Sequence, residues 1–220
     1  MSADPTTRYI VRYRRRADQP WKRAPRYITR RTGYRTHAAA LAKLAMLRRD
    51  GYAGHIARVD WLRPLALQNA RKLIGIMEHG GNNQGERVME LIRANGGTGP
   101  EPWCGDFVAW CYRTAGSRAV TRSWAAVRLL GSLSGMRRIP KRAGTPGDLI
   151  RFTFDHVGIL EAFTDANGDE MPAEHATHAR TIEGNTGASG AVSDSSTGGD
   201  GVYRKLRSLT LVSDCVQVLR

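Results

Sequence analysis

No stretch of about 18 apolar residues occurs anywhere in this 220-residue chain, so a membrane-spanning helix is excluded. Cysteine is scarce and odd in number: Cys104, Cys111 and Cys215. Three thiols do not make a disulfide framework, and none belongs to a C-x-x-C pair, so zinc and dithiol redox motifs are not supported. At least one thiol is therefore free. Acidic residues are short in the first third. Residues 1–63 hold 16 Lys and Arg against 4 Asp and Glu, a net +12, whereas the remainder holds 18 against 16. That asymmetry points to a polyanionic partner for the first third, and nucleic acid and the anionic polymers of a bacterial wall both qualify. The opening residues, MSADPTTRYIVRYRRR, lack an apolar run of signal-peptide length, so the expectation is synthesis in a cytosol without a general-secretion address. With 41% hydrophobic and 25% charged residues, wholesale disorder is excluded.

Along the chain, residues 8–14 mix β-branched, aromatic and charged side chains and predict a strand. A turn through Pro20 and Pro25 leads to a second strand near 26–31. Thr36 caps a helix over 37–49, which Gly51 closes, and 54–61 predicts a third strand. This strand-strand-helix-strand unit is small and basic, and Pro64 marks its boundary. A second pattern follows: helices over 70–78, 86–94 and 104–115, separated by loops rich in Gly and Asn. From Pro146 the texture turns to short strands at 148–153, 156–163, 179–183, 201–204 and 214–219. Helices first and an antiparallel sheet after them give an α+β arrangement. The segment 184–201, dense in Gly and Ser, is a long loop.

The chemistry concentrates on a few residues. Cys104 stands where a loop becomes a helix, and there the unpaired N–H groups and helix dipole favour a thiolate and offer donors to an oxyanion. Cys111, two turns inside the same helix, and Cys215, in a late strand, fit inert core positions. His156 opens a strand after the turn at Pro146-Gly147 and is a candidate general base for such a nucleophile. The next strand ends in Glu183-Gly184-Asn185. On an extended chain Glu183 and Asn185 point to one face, and either could orient the imidazole.

In order, Trp103-Cys104-Gly105-Asp106-Phe107, Pro146-Gly147-Asp148-Leu149, His156-Val157-Gly158-Ile159 and Glu183-Gly184-Asn185-Thr186 resemble the successive motifs of the CHAP domain. This is the cysteine, histidine-dependent amidohydrolase/peptidase domain of phage endolysins and bacterial wall hydrolases. The resemblance covers 66–220 and implies a papain-like fold, with N-terminal helices packed on an antiparallel sheet, behind a small basic ββαβ domain over 1–63. It implies Cys104 as nucleophile, His156 as base, Glu183 as the group orienting the imidazole and Asn185 as a further polar member. The implied activity is hydrolysis of an amide bond of peptidoglycan through a thioester, as an N-acetylmuramoyl-L-alanine amidase or as an endopeptidase. The implied site of action is the wall, reached through a holin-type release. An exported or virion-associated wall hydrolase is an alternative. A nucleic-acid-binding protein carrying a non-catalytic domain of this kind is another.

Neither cofactor nor metal is expected. Asp165 to Glu170 superficially resembles a calcium loop, but its glycine is misplaced and a hairpin turn fits better. His175 and His178 lack a third ligand. Asn82, Asn83 and Gln84 lie upstream of the nucleophile, where Asn83 could contact substrate, although turn or capping roles suit them too. Of Trp103, Trp110 and Trp124, helix spacing assigns Trp110 to the core, while Trp103, beside the nucleophile, is expected to line a substrate groove.

Overall fold

The computed structural model describes residues 7–14, 22–23, 37–49, 52–60, 62–117, 119–120, 135–187 and 200–219. The strand expected near 26–31, the cap at Thr36, the turn prolines 20 and 25, Gly51, Trp124 and much of the 184–201 loop lie outside them. The chain divides into two compact units, Met1–Leu62 and Arg63–Arg220.

In the first unit, β1 (Thr7–Arg14) pairs antiparallel with β2 (Lys22–Arg23) on one side and β3 (Ala53–Asp60) on the other. The helix α1 (His37–Arg49) packs on β1 and β3. It buries Ala40, Leu44 and Leu47 and leaves Leu41 exposed, so its apolar stripe runs through 40, 44 and 47 at helical spacing.

The second unit is α+β. Its helices are α2 (Leu62–Leu73), α3 (Glu86–Ala94) and α4 (Cys104–Ala115). The sheet comprises β4 (Met136–Ile139), β5 (Leu149–Phe152), β6 (Val157–Thr164), β7 (His178–Thr186), β8 (Gly201–Ser208) and β9 (Val212–Val218). All six pair antiparallel in the order β4-β9-β5-β6-β7-β8.

Two sequence expectations shift. The two units divide beside Pro64, as expected, but the helix expected over 70–78 begins eight residues earlier, so that Pro64 sits in the first turn of α2. There a missing N–H has no intrahelical acceptor to leave unpaired. The helix ends near Gly75, whose φ of 91° is the left-handed conformation that glycine adopts freely. The edge strand β4 was not expected at all: Met-Arg-Arg-Ile is short and half charged, as sheet edges commonly are.

Helix α4 carries its apolar residues at 104, 107, 108, 111, 112 and 115, all buried, and packs on β6 and β7. Two details set its height above the sheet. The Tyr112 hydroxyl donates to the carbonyl of Gly147. At Gly184 a β-carbon would lie 2.6 Å from Phe107 Cβ and 2.8 Å from the Trp103 ring, so only glycine lets the helix approach β7 this closely. A second apolar cluster, including Ile150, Phe152, Leu160, Ala179, Val212 and Cys215, joins β5, β6, β7 and β9. Each large side chain so buried contributes roughly 1.5–3 kcal/mol. Among the described residues no helix is long and apolar enough to cross a membrane.

Candidate active site

Pro100 and Pro102 precede α4, and a proline disfavours helical geometry in the residue before it. The helix starts just after them, with Cys104 as its first residue and Trp103 as N-cap. Trp103 supplies no side-chain acceptor for the first-turn N–H groups. The thiol thus sits at the positive end of the helix dipole without a competing side-chain cap. Cys104 is only 2% exposed.

His156 closes the turn between β5 and β6, where its N–H donates to the Phe154 carbonyl at 2.7 Å. The alternation Phe152, Phe154, His156 stacks the three rings. The imidazole lies 5.6 Å from Phe152 and 5.9 Å from Phe154, centroid to centroid, at 29° and 12°. One ring nitrogen, Nε2, is 3.0 Å from Glu183 Oε2. The other, Nδ1, is buried and has no partner of normal hydrogen-bond geometry. It is the nitrogen left for Cys104, whose side chain acts on the ring by hydrogen bonding and by charge. Burial opposes a charged imidazole, but Cys104 and Glu183 together outweigh it and raise His156 to about 9.

Glu183 reaches His156 across β6, and the path runs over Gly158. A β-carbon there would come 2.7 Å from Glu183 Cγ. The glycine after the histidine is thus required by the carboxylate opposite it. Glu183 is fully buried, which alone would raise its pKa. Hydrogen bonds from His156 and Arg207, and their charges, bring it down instead to about 2. The Thr181 hydroxyl adds a bond to Oε1 at 2.5 Å.

Cys111 and Cys215 occupy buried core positions. Burial pushes Cys111 well above the ordinary thiol range. It lifts Cys215 as well, to about 12 with the help of Asp148 and Asp214. Both are held as thiols in core packing.

The other singled-out residues fare differently. Asn185 is buried but lies at φ 55°, inside a register shift between Glu183 and Thr186. The chain is therefore not regularly extended there, and the two-residue alternation with Glu183 does not apply. Asn83, also left-handed at φ 57°, donates its backbone N–H to Glu78 Oε2 at 2.8 Å. Trp103 does not line an open groove. It is fully buried, and its indole N–H donates to Glu78 Oε1 at 2.8 Å, because the helix start turns it inward against Gly184. Trp110 is the partly exposed one, so the expected assignment of the two tryptophans is reversed. Asp148 is buried and closes its own turn, accepting from Thr145 N at 2.8 Å and from Arg63 at 3.4 Å.

Several contributors were missed in the sequence. Glu78 joins the turn carrying Asn83 to Trp103, the residue before Cys104. Arg207 grips Glu183. Phe152 and Phe154 flank the imidazole, and their spacing ahead of His156 was the one available signal. Glu161 binds Arg71, Arg180 and Arg204, and His156 is held by Glu183 instead. Asp165 caps a hairpin turn, accepting from Asn167 N and Asp169 N at 2.9 Å. Among the described residues no group of three or more His, Cys, Asp or Glu is arranged to hold a metal ion.

Comparison of the chain with protein-family models, with curated proteins and with solved structures gave no match.

Proposed function

We propose that the chain is a cysteine-dependent amidohydrolase of peptidoglycan, an endolysin-like enzyme with a papain-like CHAP catalytic unit. The observation that carries the reading is one buried imidazole engaged from two sides: Nε2 meets Glu183 at 3.0 Å, and Cys104 at a helix start acts on the same ring. This is the arrangement of nucleophile, base and orienting group that acyl transfer requires. The four motifs quoted above direct it to the wall peptide.

In this reading Cys104 Sγ attacks the amide carbonyl as its proton resides on His156. The oxyanion collects at the N–H groups of the first turn of α4. His156 then gives the proton to the leaving amine, and the acyl group stays on sulfur as a thioester. Water, deprotonated by His156, attacks the thioester, and the carboxylic acid and the thiol are released. Glu183 keeps the ring in the tautomer with Nδ1 directed at sulfur and stabilises the imidazolium. Asn185 would be a further polar member of the site, and Asn83 would contact the substrate. The basic first unit would hold the enzyme on anionic wall polymer.

Mass spectrometry of fragments released from purified sacculi tests the proposal and reads the bond. Soluble fragments bearing one new amine and one new carboxyl are expected, and none from Cys104→Ala. Sacculi left intact by folded wild-type protein would overturn it.

A further inference from the structure

The mechanism above uses three ionisable groups, yet a fourth is buried with them. Arg207, on β8, is fully buried in side chain and residue alike. Its Nε donates to Glu183 Oε1 at 3.0 Å and its Nη2 to Oε2 at 2.6 Å, with a further contact from Nη2 to Thr186 Oγ1 at 3.3 Å. The guanidinium carbon also lies 5.4 Å from the Phe152 ring and 5.9 Å from that of Phe154, the same rings that stack on His156.

An arginine is almost never fully buried unless paired, and here both carboxylate oxygens are taken. Oε2 is shared between Arg207 and His156, so the fork fixes the oxygen that meets Nε2. Charge follows the same logic. A buried carboxylate beside an imidazolium and a thiolate leaves one negative charge in excess, and the guanidinium cancels it.

We propose that Arg207 is a positioning residue of the Cys104–His156–Glu183 set, acting through Glu183 to hold the carboxylate ionised and aimed at His156, so that the chain of interacting groups is Cys104–His156–Glu183–Arg207. The inference rests on the reading of Cys104 as the nucleophile. It is not a contact with substrate: two residues separate Arg207 from the reacting sulfur.

The test needs no substrate. Alkylation of the full-length protein by iodoacetamide at neutral pH is followed by mass spectrometry in wild type, Arg207→Met, Arg207→Lys, Glu183→Gln and the double variants. Cys111 and Cys215 have no exposed surface, whereas Cys104 at the start of α4 retains 2%, so a folded chain is expected to take at most one label, slowly and on Cys104, and an unfolded one three. Arg207→Met and Glu183→Gln are each expected to slow labelling of Cys104 about tenfold, the population change of one pK unit. If Arg207 acts through Glu183, the double variant is also about tenfold slower rather than about a hundredfold, since only independent sites add.

Arg207→Lys keeps the charge but loses the fork, and labelling is expected between wild type and Arg207→Met. Should Arg207→Met take three labels, the comparison moves to Arg207→Lys with and without Glu183→Gln, and the same non-additivity is required. Equal factors for the Arg207 substitution in both backgrounds, or labelling of folded Arg207→Met at the wild-type rate, would overturn the inference. Inert sacculi with the coupling intact would overturn only the hydrolase reading, because labelling does not depend on it.

Discussion

The indole N–H of Trp103 donates to Glu78 Oε1 at 2.8 Å, while Glu78 Oε2 accepts the backbone N–H of Asn83. One carboxylate thereby ties the residue before the nucleophile to the turn ahead of α3. Glu78→Ala removes both bonds and leaves the buried indole N–H without this acceptor, at a cost of about 1–3 kcal/mol. A thermal melt is expected to show that loss. Wall lysis should fall further than stability alone accounts for, since the start of α4 loses its anchor. Glu78→Gln, which keeps the acceptor for Trp103, should recover most of both. An Ala variant melting like wild type would show that the bridge is inconsequential.

Only one of the three cysteines should matter to chemistry. Cys104→Ala is expected to fold and to lyse nothing. Cys111→Ala and Cys215→Ala should retain lysis with a stability loss on the order of 1 kcal/mol from the vacated volume. Circular dichroism beside a turbidity assay on wall preparations decides it, and lysis by folded Cys104→Ala would end the mechanism.

The shift of His156 sets a pH window. The folded imidazole, raised to about 9 from 6.5, binds its proton more tightly than the unfolded one. The stability it contributes is complete below about pH 6.5 and drains away as pH rises to about 9, at most about 3 kcal/mol in all. Glu183, brought down to about 2, works in the opposite sense. Its contribution is present above about pH 4.5 and is lost as pH falls toward 2. Urea midpoints measured across this range should decline on the alkaline side in wild type, and decline less in His156→Gln. Parallel curves for the two proteins would contradict the assignment.

Gly184→Ala probes the fit of helix on sheet. The added methyl would press on Phe107 Cβ and the Trp103 ring, an overpacking that costs about 1–3 kcal/mol. Because α4 carries Cys104 and β7 carries Glu183, lifting one from the other would misplace Cys104 from His156. A displacement of about 1 Å can cost about a hundredfold in rate. Lysis should therefore drop more steeply than thermal stability. Gly99→Ala, where the methyl meets nothing within 4 Å, is the silent control.

The basic first unit can be tested by removing it. A chain beginning at Leu62 should lose retention on purified walls, and retention of the whole chain should weaken as salt is raised, because exposed charges are screened over about 8 Å at physiological ionic strength. Walls stripped of their anionic polymers, run beside a DNA gel-shift, separate the two polyanions. Tight duplex binding with no wall binding would transfer the first unit to nucleic acid and leave the catalytic reading standing.

The sequence revealed this site where its constraints are local. Helix α4 was legible because prolines stop the chain before Cys104 and its apolar residues repeat at helical spacing. The entry to β5, the strand before His156, was legible through Pro146-Gly147. The remainder depends on contacts that local pattern does not encode. Arg207 lies in a strand that also holds Arg204 and Lys205, and nothing in the local run distinguishes the buried arginine from the exposed one. Trp103 and Trp110 exchanged places because burial at a helix start follows from a glycine eighty residues on. Asn185 departed from strict alternation because a register shift intervenes, and register is a property of two strands together. Pro64 stood at the division between the units as read, but that it also lies in the first turn of a helix was not visible, since a proline can open a helix as well as precede one.

The place of β9 has a consequence for how the molecule comes into being. Although it is the last strand in sequence, it lies inside the sheet, between β4 and β5. Until it arrives, β5 has only β6 beside it, and the β5 edge of the hairpin that carries Phe152 and His156 is unpaired. Such non-local closure is slow compared with local helix formation. A chain still emerging from the ribosome thus possesses its cysteine at a formed helix end well before it possesses the sheet that would arm it. On the proposed reading, the Cys104–His156–Glu183 set is complete only once β9 has joined the sheet.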